Sequence, residues 1–333
     1  MAFLIRPTTG DDEARLIEFL TRVFPVNAGL VSPAMLRWKY WTPREDCQEP
    51  RSLVGERDGR IVSHAGLWPV TVRTGTKSER GVHAMDWGAD PHALGAGSIL
   101  IKHLTRNYDF VYGIGGEEKT RKILPKMGFR PVAEALTWAR TIRPWRQILR
   151  HQSKDWKLLP RFVRNFWWSK IPLRPGLREW AADAATAEGF AIPAAERDES
   201  FFRYLQQCPV ATCLTFNIVN QGRIVGFFAL LVIGEQARVA GVWLDSPSPE
   251  TWRIAFHIAQ EAAVQHTEAS EIVARCTTEP SFIGAQQAGM HLRESTPVLL
   301  FRKDGSELLP PLQFHLCDSD ALFLTGGLTT FLT

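Results

Sequence analysis

No metal-binding spacing occurs in this chain of 333 residues: its nine histidines form no His-x-x-x-His or His-Glu-x-x-His pair. The five cysteines (Cys47, Cys208, Cys213, Cys276 and Cys317) are scattered, odd in number and never in a Cys-x-x-Cys arrangement. They read as reduced, buried small hydrophobes rather than a disulfide framework, and neither a metal nor a catalytic thiol is expected. No stretch approaches the ~18–20 apolar residues that span a bilayer. The apolar run in Met1–Pro7 is too short for a signal-peptide core, and acidic residues follow it at Asp11-Asp12-Glu13, which predicts a cytoplasmic protein. Disorder is excluded too, since 45% of residues are hydrophobic and 22% charged, the balance of an ordinary globular protein. A length of 333 residues suits two domains of roughly 100–200 residues each.

What the chain does have is an uneven distribution of charge. The net charge is +4, yet residues 140–180 carry eleven Lys or Arg against Asp155 and Glu179, a local balance of +9 that leaves −5 for the remainder. The same segment holds Trp145, Trp156, Trp167, Trp168 and Trp180, and Pro144, Pro160, Pro172 and Pro175 divide it into short pieces. Three readings suit this composition. It is a connector whose aromatics pack on both domains, a peripheral contact with the inner membrane face or a lipid-linked substrate, or a contact with tRNA or another polyanion.

Before that segment, the pattern alternates between strands and helices. Phe3–Arg6 reads as a strand, and Leu16, Ile17, Leu20, Val23 and Phe24 recur at helical spacing. Ser32 and Pro33 open a second helix, with Ser32 as its N-cap. Asp58-Gly59 predicts a hairpin turn between strands at 52–56 and 61–72. A strand at 81–87, a helix from Ser98, a buried strand at 108–113, a short helix at 117–126 and a closing hairpin after Gly128-Phe129 complete the first half. After residue 180 the order recurs, with a hairpin at Gln221-Gly222, a helix at 251–266 and last strands from Gly289-Met290. The expected fold class is α/β with mixed sheets (α+β), built as two tandem domains: 1–141, a connector at 142–180, and 181–333.

The clearest chemical signal lies at residues 82–104, where a strand runs into a glycine-bearing loop and then a helix. Such a helix start presents free N–H groups and a positive dipole end to phosphates, and glycine lets the backbone approach them. Ala89-Asp90-Pro91, His92-Ala93-Leu94-Gly95-Ala96-Gly97 and the helix from Ser98 resemble the pyrophosphate loop of the Gcn5-related N-acetyltransferase (GNAT) family. Lys126-Met127-Gly128-Phe129 is similar to a later motif of the same family. His92 departs from the usual Arg or Gln, the loop is about two residues short, and Leu124 stands where many members place a tyrosine acid. Tandem GNAT-like proteins, including exopolysaccharide-cluster acyltransferases, resemble the whole chain, with Trp38-Lys39-Tyr40 near the start and Asp318-Ser319-Asp320 near the end.

The resemblance implies acetyl-CoA or another acyl-CoA as co-substrate, bound by Trp87, Gly88, Ala89, Leu94, Gly95, Ala96, Gly97 and Ser98. It implies transfer to a small amine or amino sugar by direct attack on the thioester, with His83 as first candidate for the base. Asp86 stands on the same strand at opposite parity, so one of the two should face the cleft; Glu56 and Glu117 are reserves. A backbone N–H near Trp87 or Gly88 would polarise the thioester carbonyl. The second half resembles a degenerate copy: Asp245-Ser246-Pro247-Ser248-Pro249-Glu250-Thr251 has no glycine, and each proline lacks the N–H that a phosphate needs. Two other readings stay open, a Fem-type transferase that uses aminoacyl-tRNA and a non-catalytic CoA- or ligand-binding protein.

Overall fold

The computed structural model describes residues 3–25, 31–74, 77–150, 158–170, 179–184, 199–306 and 313–323. Trp156, Pro172 and Pro175 of the basic segment lie outside them. The first half begins with strand β1 (Phe3–Pro7), helix α1 (Glu13–Val23) and the short helix α2 (Pro33–Leu36), which continues as one π-helical turn over Arg37–Trp41. Ser32 caps α2 by accepting from the Met35 N–H at 3.3 Å, with Pro33 at the first helical position. Strands β2 (Ser52–Arg57) and β3 (Arg60–Thr74) meet at Asp58-Gly59, whose φ values of 52° and 73° give the left-handed pair that a two-residue hairpin requires. Next come β4 (Lys77–Ala89), α3 (Ala96–Asn107), β5 (Phe110–Ile114), α4 (Glu118–Ile123) and β6 (Arg130–Thr141).

Two helices, α5 (Pro144–Arg150) and α6 (Leu158–Ser169), occupy the basic segment. The second half repeats the order with β7 (Trp180–Ala184), α7 (Glu199–Gln206), β8 (Thr212–Asn220), β9 (Arg223–Ile233), β10 (Gln236–Leu244), α8 (Pro249–His266), β11 (Glu271–Cys276), α9 (Glu279–Gln287) and β12 (His291–Arg302). The β8–β9 turn at Gln221-Gly222 again has two positive φ values, 50° and 77°.

The twelve strands among the described residues form one mixed sheet, in the order β1-β2-β3-β4-β5-β12-β6-β11-β10-β9-β8-β7. The two parallel pairings are β4–β5 and β10–β11, each bridged by a helix (α3 and α8), because parallel neighbours need a long crossover. The hairpin expected after Gly128-Phe129 does not form. Instead β6 runs alone between β12 and β11, and β12 runs between β5 and β6. Each half therefore lodges its last strand beside the other half's fifth. The antiparallel partner that a hairpin would have supplied locally comes from the opposite end of the chain.

An aromatic core ties the halves together on one face of this sheet. Trp38 stacks on Tyr204 of α7 with ring centroids 4.8 Å apart, and its indole N–H donates to the Tyr204 carbonyl at 3.0 Å. Tyr204 O–H donates to the Trp38 carbonyl at 2.8 Å, and the Arg51 guanidinium reaches the same hydroxyl at 2.7 Å. Trp68, Phe201, Phe202 and Phe323 complete the cluster, all fully buried. The carboxy-terminal segment is pinned across both halves. Trp68 Nε1–H donates to the Cys317 carbonyl at 2.9 Å, Tyr112 O–H to the Asp318 carbonyl at 2.7 Å, and Arg275 to the Ser319 hydroxyl at 2.6 Å.

Candidate active site

β4 and β5 share hydrogen bonds over Gly81–His83 and Phe110–Tyr112 alone. Beyond His83 the two strands part, since β5 continues beside β12 while β4 runs on to Ala89. A cleft of about 760 Å³ opens between them, walled by β4, the α3 start and the glycine-rich end of β5 at Gly115-Gly116. Its size lies within the ~300–1,000 Å³ of small-molecule sites.

The loop at the mouth is shaped by local bonds. The Asp90 carboxylate accepts the His92 N–H at 2.9 Å, the Ala93 N–H returns to the Asp90 carbonyl at 2.9 Å, and Gly95 turns into the helix with φ of 80°. Ile99 is the first residue whose N–H reaches back to Gly95, at 3.0 Å. The Gly97 and Ser98 N–H groups have no intrahelical carbonyl to bond, as at any helix start. Trp87 Nε1–H donates to the Gly97 carbonyl at 3.0 Å and ties the end of β4 to this turn. A side chain at 97 would place its Cβ 3.2 Å from that indole nitrogen, so glycine keeps the turn open. Trp87, Gly88, Ala89, Leu94, Gly95, Gly97 and Ser98 all line the cleft. Ala96 does not: it is buried, and its N–H bonds the Ala93 carbonyl at 3.1 Å.

The expected alternation between His83 and Asp86 fails, because both line the cleft. The cause is a β-bulge: Asp86 has φ of 45°, and Asp86 and Trp87 together stand opposite the single residue Ala65. The extra residue restores Asp86 to the face that His83 occupies. Asp86 is nevertheless not free to act as a base. Lys39, itself fully buried, forms an ion pair with its carboxylate, and Tyr40 O–H donates to it at 2.6 Å. Burial alone would raise the Asp86 carboxyl, but the Lys39 charge and these two hydrogen bonds outweigh it and hold the group below the ordinary carboxylate range. The Tyr40 phenol is pushed well up, by burial first and then by the Asp86 charge. Lys39 and Tyr40, legible in sequence as an aromatic-rich motif and not as site residues, are thus what fixes the bulge.

Removing the ammonium should expose this arrangement. The Lys39→Met variant leaves a buried carboxylate unpaired and is expected to lose about 3–5 kcal/mol of stability at neutral pH. The pH slope should also change sign. In the parent, Asp86 stabilises above its unfolded-state value, and this is lost as pH falls through the lowered folded value. Without Lys39, burial raises the carboxyl instead, so stability relative to the parent should increase as pH falls. Urea melts of parent and variant at pH 7, 5 and 3 would check both effects, since His64 contributes to both proteins and cancels in their difference.

His64 supports the bulge from behind. Its Nδ1–H donates to the Asp86 carbonyl at 3.0 Å, which can only accept, and its Nε2 then accepts from the Ser52 hydroxyl at 3.0 Å. The ring is fully buried, and burial pushes it down to about 4. A base lowered in the folded state binds its proton in the unfolded chain first. Stability should therefore fall between pH 6.5 and about 4, by about 3 kcal/mol from this group. In the His64→Gln variant that part of the acid slope should disappear, as read by chemical denaturation across the same range.

At the deep end of the cleft, His83 is almost fully buried, with its ring stacked on Tyr112 at 5.2 Å. Its Nδ1 lies 3.3 Å from the Tyr112 carbonyl, which assigns the proton to Nδ1. Nε2 has no hydrogen-bond partner and lies 3.5 Å from Asp320 Oδ1, a carboxylate carried into the cleft by the carboxy-terminal segment. Sequence reasoning singled out Asp318-Ser319-Asp320 but assigned it no role in the site. Glu117 lines the cleft at the start of α4. Glu56 does not reach it. Its carboxylate accepts from Arg6 at 2.9 and 3.0 Å and from Arg15 at 2.6 Å, and those partners, Arg6 first, hold it low. It is a structural ion-pair residue. Leu124 is buried against the cleft wall, and the nearby tyrosine hydroxyls are engaged, Tyr112 with Asp318 and Tyr40 with Asp86.

Among the described residues, the corresponding helix start of the second half, at α8, is engaged by its own cap. At the start of α8 the Ser248 hydroxyl takes the Thr251 N–H at 3.2 Å, Thr251 Oγ1 takes the Ser248 N–H at 2.8 Å, and Pro249 has none to offer. His315 packs between Trp243 of β10 and Trp252 of α8, with ring centroids 5.3 and 6.2 Å away. Among the described residues, no three His, Cys, Asp or Glu side chains are placed to share a metal ion.

No family model and no curated protein matches the chain by sequence. Solved structures do match it in fold. A GCN5-related N-acetyltransferase from Anabaena variabilis aligns over 91% of this chain and 73% of its own, with 10% identity and a TM-score of 0.57. One from Kribbella flavida aligns over 90% and 70%, with 12% identity and a TM-score of 0.53. The tandem GNAT protein of the clavulanic acid biosynthesis pathway aligns over 92% of this chain and all of its own, with 10% identity and a TM-score of 0.55. The chain has the tandem GNAT fold.

Proposed function

We propose that this protein is an acyl-CoA-dependent N-acyltransferase in which residues 1–141 bind the donor, 142–180 connect, and 181–333 form a second repeat that shapes the acceptor side. The observation that carries this reading is the parting of β4 and β5 onto an open, glycine-bearing helix start, with His83 and Asp320 at the deep end of the same cleft. The unbonded N–H groups at Gly97 and Ser98 suit a pyrophosphate, and the free edge of β4 beyond His83 suits the amide groups of the pantetheine arm.

An amine arrives as an ammonium and must lose a proton before it can attack. The 3.5 Å gap between His83 Nε2 and Asp320 Oδ1 is wide for a direct bond, and an ammonium can donate to both. His83 takes one proton, the amine lone pair attacks the thioester carbonyl carbon, and the carbonyl electrons move to oxygen. A backbone N–H near Trp87 or Gly88 stabilises that oxyanion. Collapse breaks the C–S bond and expels the thiolate, which takes up the second proton still carried by the nitrogen; with a conjugate acid near pKa ~8.5 it is a leaving group that needs no side-chain acid in place of Leu124. The acceptor is a small amine or amino sugar.

Leu124 also supports a second reading, a CoA-binding protein without turnover. Calorimetric titration with acetyl-CoA, followed by assay of an amine and amino-sugar panel for free thiol release, separates the two. Binding with turnover supports the enzyme, binding without turnover supports the second reading, and no binding overturns both.

A further inference from the structure

Helices α5 and α6 pack on each other: Trp145 meets Phe162 with ring centroids 4.6 Å apart, and the buried Asn165 amide donates to Gln147 at 2.7 Å. Their outward faces are apolar. Trp145 and Leu149 on α5, and Leu159, Val163 and Trp167 at four-residue spacing on α6, are between 47% and 83% exposed. Ordinary surfaces scatter such side chains singly, and a contiguous group marks an interaction site.

Exposed cations stand beside this face, while Arg146 of α5 is paired with Glu235 and Glu268. Arg164 and Lys170 flank the apolar stripe, and no carboxylate pairs with either among the described residues; Arg164 bonds the neighbouring Asn165 at 3.2 Å, and Lys170 Nζ lies 4.7 Å from the Phe166 ring centroid. Arg164 and Arg293 lie over Trp168 at 4.4 and 5.0 Å, and Nε and Nη2 of Arg293 have no hydrogen-bond partner. Burial first, and then Arg293, Arg140 and Arg164, push His291 down to about 4.

We propose that the exposed face of α5 and α6 docks on an anionic lipid bilayer, with Trp145, Leu149, Leu159, Val163 and Trp167 at the headgroup–acyl boundary and Arg164 and Lys170 on lipid phosphates. Tryptophan beside exposed cations is the composition of an interfacial helix. A second copy of this chain fits poorly, since it would bring Arg164 and Lys170 against their own copies and offer them no anion. No helix among the described residues is long and apolar enough to cross a membrane, so contact through these helices is peripheral.

Sedimentation of the full chain with vesicles tests the assignment. Vesicles of phosphatidylcholine with about 30% phosphatidylglycerol should retain at least about ten-fold more protein than phosphatidylcholine alone, with the excess falling as salt is raised. The W145S/W167S and R164E/K170E variants should each lose about ten-fold in binding while keeping the parent's circular dichroism and acetyl-CoA titration. Equal retention on both vesicles, no retention on either, or retention unchanged in W145S/W167S overturns the proposal. So does a dimer that W145S/W167S dissolves without any vesicle binding, which assigns the face to a second copy. The readout is independent of acyl transfer, so its failure leaves the cleft's function standing.

Discussion

The Gly97→Glu variant is expected to bind acetyl-CoA at least about 100-fold more weakly than the parent, a loss of about 2.7 kcal/mol, while remaining folded. The fold should survive because the new Cβ meets the Ala89 Cβ at an ordinary 3.4 Å, and the Trp87 indole, met at 3.2 Å, needs to shift by only a few tenths of an ångström. Binding should not, for two reasons that act together. The carboxylate lies beside the same Gly97 and Ser98 N–H groups that a pyrophosphate needs, and it puts like charge where the ligand brings its own. The Gly97→Ala variant separates bulk from charge and should lose less than about ten-fold. Calorimetry beside a thermal melt reads both quantities. A folded Gly97→Glu protein that binds like the parent would mean that the start of α3 is not the donor site.

That part of the cleft was legible in the sequence because it is made of neighbours. A strand end, a glycine loop and a helix start lie within residues 82–104, and backbone chemistry sets each one locally. The turns at Asp58-Gly59 and Gln221-Gly222 were legible for the same reason, and both adopt positive φ at each position. What the sequence concealed depends on partners far along the chain. A strand pattern shows that β6 and β12 must pair but not with which strands, so the exchange between halves was invisible. Parity along β4 misplaced Asp86 because the bulge that turns it inward is held by Lys39, 47 residues away. Glu56 read as a spare carboxylate until Arg6 and Arg15 closed on it from 50 and 41 residues away. Asp320 needed 237 residues of separation from His83 to be bridged by the return of the carboxy-terminal segment.

His83→Ala should lower kcat for amine acylation by about 10²–10⁴-fold and leave the acetyl-CoA titration unchanged, since proton transfer by a positioned side chain has about that worth. The separation follows from position: His83 lies at the deep end of the cleft, where β4 and β5 part, and the α3 start that receives the phosphates lies at its mouth. A merely structural role is excluded by the split between the two readouts: a variant that only loosened the cleft would weaken acetyl-CoA binding as well, whereas loss of the base lowers kcat alone. Asp320→Asn is the complementary change. It keeps shape but removes the charge that faces the acceptor ammonium, so KM for the amine should rise by about ten-fold with a smaller change in kcat. Should His83→Ala keep the parental kcat, the base is elsewhere, and Glu117, the remaining carboxylate at the cleft wall that sequence reasoning named, becomes the group to test.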